Sequence, residues 1–197
     1  MGEIINQMFS TLRSGVKERD KQKCDSVFKL DDKVDILHDA ILEYMSEIRQ
    51  EPLTDKQSDR FQALMSATVN LENLANVINS ELVDIGKGFI DLEGEPSEAS
   101  RLLLTSLADK VSTAVEQTVK AVREDDQKAA EDVILVKDDI RGIAEEFLRR
   151  QAERFGVQQE GRLNLVRLEM ELLDKLRSIY TLAKRVSKEF VPEEVAS

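Results

Sequence analysis

The stretch Val27–Ile48, VFKLDDKVDILHDAILEYMSEI, decides the fold. Val27, Leu30, Val34, Leu37, Ile41, Tyr44 and Ile48 recur in unbroken alternating steps of three and four. That spacing lays one apolar stripe along a helix, the seam that an antiparallel bundle needs. The same rhythm runs through Phe61, Leu64, Thr68, Leu71, Ala75, Ile78 and Leu82. It returns in Leu104, Leu107, Val111, Ala114, Thr118 and Val122, and again in Val133, Val136, Ile140, Ile143 and Phe147. No apolar–polar alternation competes with it, so the pattern predicts an all-α protein.

Helix breakers divide the stripes into six predicted helices. The first covers roughly Gly2 to Arg19 and ends in the polar run Asp20-Lys21-Gln22-Lys23. The second reaches Gln50, before Glu51-Pro52-Leu53; Thr54 then caps the third, with Gln57 as its capping-box partner. Gly86, Gly88, Gly94 and Pro96 form the least regular stretch, and the reading places a boundary there, between a unit over 1–90 and a unit over 91–197. The fourth helix runs from Ser97 to Arg123, the fifth stops near Gly156, and the sixth spans Glu160 to Phe190 before Pro192. Val27–Val34 lies over Val133–Ile140 at an offset of 106, and the third and sixth helices align at nearly that offset. The expectation is two tandem antiparallel three-helix bundles related by an internal repeat.

The chain has 197 residues, with 28 basic and 39 acidic side chains and a net charge of −11. That field repels a phosphate backbone, which excludes nucleic acid as a partner, and it disfavours broad docking on anionic lipid. Cys24 is the only cysteine, which fits a reducing compartment. No apolar run approaches the length of a membrane span, and the first residues do not read as a signal peptide.

One cluster stands out chemically. Asp31 and Asp35 are one turn apart on one helix face, with Asp32 and His38 alongside. Like charges at that spacing repel unless a cation lies between them. In the third helix Glu72 and Asn76 have the same spacing and flank the apolar stripe, so they are placed to face the second helix. Such oxygen ligands, with an imidazole nearby, suit iron, manganese, zinc or magnesium. A di-iron oxidase normally uses Glu-x-x-His on two helices. Here only Asp35-x-x-His38 comes near, and no second histidine exists. With no nucleophile–histidine constellation and no glycine-rich phosphate loop, the sequence does not read as an enzyme.

Leu30-Asp31-Asp32-Lys33-Val34-Asp35-Ile36-Leu37-His38 resembles the signature of the PhoU family of phosphate-uptake regulators. The resemblance implies two tandem three-helix bundles, each carrying paired acidic motifs of the form Glu/Asp-x-x-x-Asp that hold metal. Asp31-x-x-x-Asp35 matches the first motif, and Glu72 with Asn76 the second, with asparagine in place of an aspartate. In the second copy Lys137 and Arg141 stand where the first acidic pair belongs, and Arg177 and Thr181 where the second does. Basic side chains do not ligate cations, so the expectation narrows to a single divalent or iron ion in the first bundle, or to none. Met1-Gly2-Glu3-Ile4 and the run Leu176–Val186 with Pro192 are similar to the PhoU-like cytoplasmic domain of sodium/phosphate cotransporters. The implied role is regulation of phosphate uptake at the inner face of the membrane, through contacts with transporter segments or phosphate-signalling proteins. A free-standing PhoU-type regulator and a structural oligomerisation module, in its simplest form a homodimer, are the alternatives.

Overall fold

A computed structural model of the chain describes residues 1–92, 94, 96–154 and 162–192. Among them every regular element is helical. The first half contains α1 (Gly2–Glu18), α2 (Lys21–Asp25), α3 (Phe28–Ile48) and α4 (Asp55–Asn76). A π-helical segment (Val77–Leu82) then leads directly into α5 (Val83–Asp91). The second half contains α6 (Glu98–Glu124), α7 (Gln127–Leu135), α8 (Lys137–Arg154) and α9 (Arg162–Lys188). Because α2 leads into α3, α4 into α5, and α7 into α8, the elements form six rods, three in each half.

Several local expectations change. The polar run 20–23 is not a loop: α1 ends at Arg19 in the left-handed region (φ 56°), and Asp20 caps the short α2 by accepting from the Lys23 N–H. Gly86 and Gly88 lie inside α5 and do not break it. They permit close approach instead, since a Cβ on Gly86 would stand 2.7 Å from Val16 Cγ2, and one on Gly88 2.9 Å from Leu168 Cδ2. The predicted stripe of the second rod also slips. Tyr44 is 64% exposed while Met45 is buried, because a straight helix of 3.6 residues per turn drifts away from a 3.5-residue seam. The predicted Thr54–Gln57 capping box is present. The predicted ends near Gly156 and Glu160 lie outside the described residues.

The repeat is visible in its corners. Arg19 and Asp125, 106 residues apart, both have φ 56°. In the first corner the Asp20 N–H donates to the Gly15 carbonyl at 2.8 Å; in the second, the Asp126 N–H donates to the Ala121 carbonyl at 3.2 Å. Asp20 and Asp126 each cap the next helix through Oδ1, at 3.0 Å in both cases. This single-residue register extends the sequence offset of 106 to backbone geometry.

One apolar core runs through both halves, from Ile5 and Met8 to Val186 and Phe190. Rod α9 packs on α6, α7, α4, α5 and the π segment. Thr118, fully buried on α6, shares its hydroxyl with Ser187 at 3.0 Å. Ion pairs tie the halves at the surface: Arg13–Asp109, Arg60–Asp125 and Lys175–Glu81, each at 2.5 Å. No helix among the described residues is long and apolar enough to cross a membrane.

Candidate functional site

The acidic cluster of the second rod is split by burial. Asp31 is on the first turn of α3, beside the core residues Leu30 and Val34, and is only 7% exposed. Asp32 and Asp35 lie on the exposed side of the same helix. Burial, followed by the neighbouring Asp35 charge, pushes the Asp31 carboxyl above the usual carboxylate range; Asp32 and Glu72 add to this. The charges of Asp35, Asp32 and Glu72 thus all bear on Asp31.

The direct partner of Asp31 is a residue that the spacing argument did not single out. Asn79, in the π segment, donates through Nδ2 to Asp31 Oδ2. Asn76 turns along its own helix and donates to Glu72. A π segment displaces the residues after it relative to an α-helical register, so heptad counting from Leu71 and Ala75 does not anticipate which asparagine meets α3. Among the described residues His38 Nδ1 faces Asp39 Oδ1, at 3.6 Å.

Two oxygens in this corner, Asp31 Oδ1 and Asn79 Oδ1, are buried without a hydrogen-bond partner. Buried acceptors left unpaired are costly, and carboxylate and amide oxygens are the donors that a hard cation takes. They do not suit a cluster: no group of three or more His, Cys, Asp or Glu side chains converges in metal-binding geometry among the described residues. Asp31, Asp35 and Glu72 therefore do not converge as a ligand set among the described residues, and what this corner offers a cation is the two unpaired oxygens of Asp31 and Asn79.

The matching corner of the second half is built differently. Lys137 opens α8, and Arg141 one turn later pairs with Asp138 at 3.2 Å and Glu145 at 3.8 Å. The Tyr180 hydroxyl donates at 3.0 Å to the Val133 carbonyl near the α7–α8 break, and burial pushes its pKa up to about 12. A polar cleft of about 680 Å³ lies between the α4–π rod and α9, with Asn76 and Glu81 on one wall and Arg177, Thr181 and Arg185 on the other.

The fold defines a class: an all-helical protein of two three-helix halves, with a buried acid–amide contact in the first. Residues 1–80 match the PhoU domain family. The structure is similar to the crystal structure of PhoU from Pseudomonas aeruginosa, with a TM-score of 0.85 and 14% identity, covering 96% of this chain and 90% of that one. At that identity the likeness establishes the fold alone. No curated protein matches the sequence.

Proposed function

We propose that the chain regulates phosphate uptake as a PhoU-type domain, acting through helix-bundle contacts and catalysing no reaction. The observation that carries this reading is the PhoU domain match over residues 1–80, which contain the whole Asp31–Asn79 corner. Its finer form makes the chain the cytoplasmic domain of a sodium/phosphate cotransporter, meeting its partner at the inner face of the membrane. In this reading a cation held by Asp31 and Asn79, with Glu72 and Asp35 nearby, compensates the buried carboxylate. It thereby fixes α3 against the π segment, and the outer face of the bundle keeps one shape for its partner.

The test is uptake of radiolabelled phosphate by cells with the chain deleted, restored, or restored as Asp31→Asn/Asp35→Asn. Deletion is expected to change uptake and the parent chain to restore it; uptake indifferent to the chain would sink the regulatory reading. Elemental analysis addresses the metal separately: about one ion per parent chain is expected, by the donor count above, and none in the double variant. Recovery of the native protein in the membrane fraction, attached to a transporter polypeptide, is expected for the cotransporter form.

A further inference from the structure

The two halves differ in how far their first rods run along the hairpins beside them. At the offset of 106 set by the helix corners, Met1 falls on Leu107, while α6 already begins at Glu98. Residues 98–106 thus precede the matched position by about 14 Å of helix. That stretch belongs to the packed bundle: Ser100 and Leu104 are buried, and α6 packs on both α8 and α9. Phe147, matched to Ile41, is only 1% exposed, and Glu169, matched to Leu64 at an offset of 105, is also buried. On the α3–α4 hairpin the same positions are less covered. Ile41 and Leu64 are half-buried, and Tyr44 is exposed.

A groove of about 490 Å³ lies at this place, walled by Ile41, Tyr44 and Ile48 of α3 and by Phe61 and Leu64 of α4. Met1 and Gly2, at the start of α1, also line it, so it adjoins the point where the register puts the counterpart of residues 98–106. An apolar groove between two packed helices accepts the apolar face of a third. Its lip is acidic. Between Asp39 and Ile48, α3 carries Asp39, Glu43 and Glu47 and no basic side chain. Glu43 and Glu47 are one turn apart, exposed, and without an ion-pair partner among the described residues. Arg60, which lines the groove, is already paired with Asp125 and lies over the Phe190 ring. With a net charge of −11, the local and overall fields both favour a cationic occupant and work against a second copy of this chain.

We propose that the α3–α4 groove seats a basic amphipathic helix of a partner protein, about two to three turns long. Its apolar side chains pack on Ile41, Tyr44 and Leu64, and its lysines or arginines face Glu43 and Glu47. The seated helix gives the first half the length of third rod that residues 98–106 give the second. The groove, its register and its charge stand apart from the regulatory reading, and peptide binding involves no transport, so either can fail alone.

The test titrates the whole chain by calorimetry with synthetic peptides of leucine and lysine, about four turns long. One peptide is patterned to put its leucines on one helix face, one has the same composition scrambled, and one has glutamate in place of lysine. Tyr44→Ser/Ile48→Ser alters the groove wall, and Leu135→Ser removes an exposed leucine elsewhere; circular dichroism checks that each variant folds. Glu43→Lys/Glu47→Lys reverses the lip at two exposed positions and leaves the wall intact. Saturable binding of the patterned lysine peptide is expected, weakened about tenfold or more by Tyr44→Ser/Ile48→Ser and kept by Leu135→Ser. Glu43→Lys/Glu47→Lys is expected to turn the preference toward the glutamate peptide. No binding, equal binding of the scrambled peptide, or a preference unmoved by Glu43→Lys/Glu47→Lys overturns the proposal. So does a dimer of the chain alone that Tyr44→Ser/Ile48→Ser dissociates, since the occupant is then a second copy.

Discussion

Tyr180 shows how one side chain can hold a helix break in place. Its hydroxyl reaches the Val133 carbonyl near the junction of α7 and α8, and the residue is only 5% exposed. Ionisation would place a phenolate in that buried position, facing a carbonyl that accepts only. The folded pKa of about 12 lies above the ordinary value of 10.0. The proton is therefore held more tightly in the folded state, and its stabilising effect is complete below pH 10 and lost as pH rises through about 12. Tyr180→Phe is expected to lower stability at neutral pH by about 1–2 kcal/mol, from the orphaned carbonyl. It should also shallow the loss of stability above pH 10; urea unfolding at neutral and alkaline pH measures both effects.

At the scale of the helix corner, the two halves solve one packing problem with different residue pairs. In the first, Gly15 faces Cys24, and a Cβ on Gly15 would stand 2.7 Å from Cys24 Sγ. In the second, the residues at the offset of 106 are Ala121 and Ala130, both fully buried. Volume is thus shared as none plus large in one corner and small plus small in the other. Gly15→Ala alone is expected to destabilise by about 1–3 kcal/mol through overpacking. Adding Cys24→Ala should recover a substantial part, because the double variant reproduces the second corner's pair. Part of the cost should remain, since the added Cβ also approaches the Cys24 backbone nitrogen at 3.0 Å. A thermal-unfolding cycle of the four proteins measures the coupling; equal losses in the single and double variants would refute the exchange.

The same scale shows what periodicity reads well and what it misses. The stripes through Leu71, Ala75 and Ile78, and through Leu104, Leu107 and Val111, are buried as spaced. They lie on helices gripped on the core side by several neighbours. Tyr44 fails toward the far end of α3, where the accumulated drift from a 3.5-residue seam turns Met45 inward in its place. Gly86 and Gly88 read as breakers because sequence does not reveal the approach of Val16 and Leu168. At the acidic corner, the grouping of Asp35 with the buried Asp31 was legible from carboxylate spacing. Asn79 was not, because its place depends on the π segment.

For the whole molecule, the halves resemble each other but do not own separate cores. Beyond the continuous apolar interior, Ser66 donates to Glu189 at 3.0 Å and Arg185 donates to Asn70 at 3.4 Å, both across the halves. The guanidinium of Arg60 pairs with Asp125 and lies 4.9 Å from the centre of the Phe190 ring. Separating the halves would uncover the apolar faces of α4, α6 and α9 together. Calorimetry of the whole chain is therefore expected to show one unfolding transition, with calorimetric and van't Hoff enthalpies in agreement. Two resolved transitions would mean that the shared core is too weak to couple them.

The sequence by itself determined the helical class, the six rods, the repeat register and the asymmetry of charge between the two copies. These follow from local periodicity and from residue identity at a fixed offset, and both are properties of the chain as a string. The tertiary structure decided which acid is buried and which amide meets it. Those outcomes depend on how one rod's drift, insertion and approach fit another rod's surface, and such distances are set only when both rods are in place.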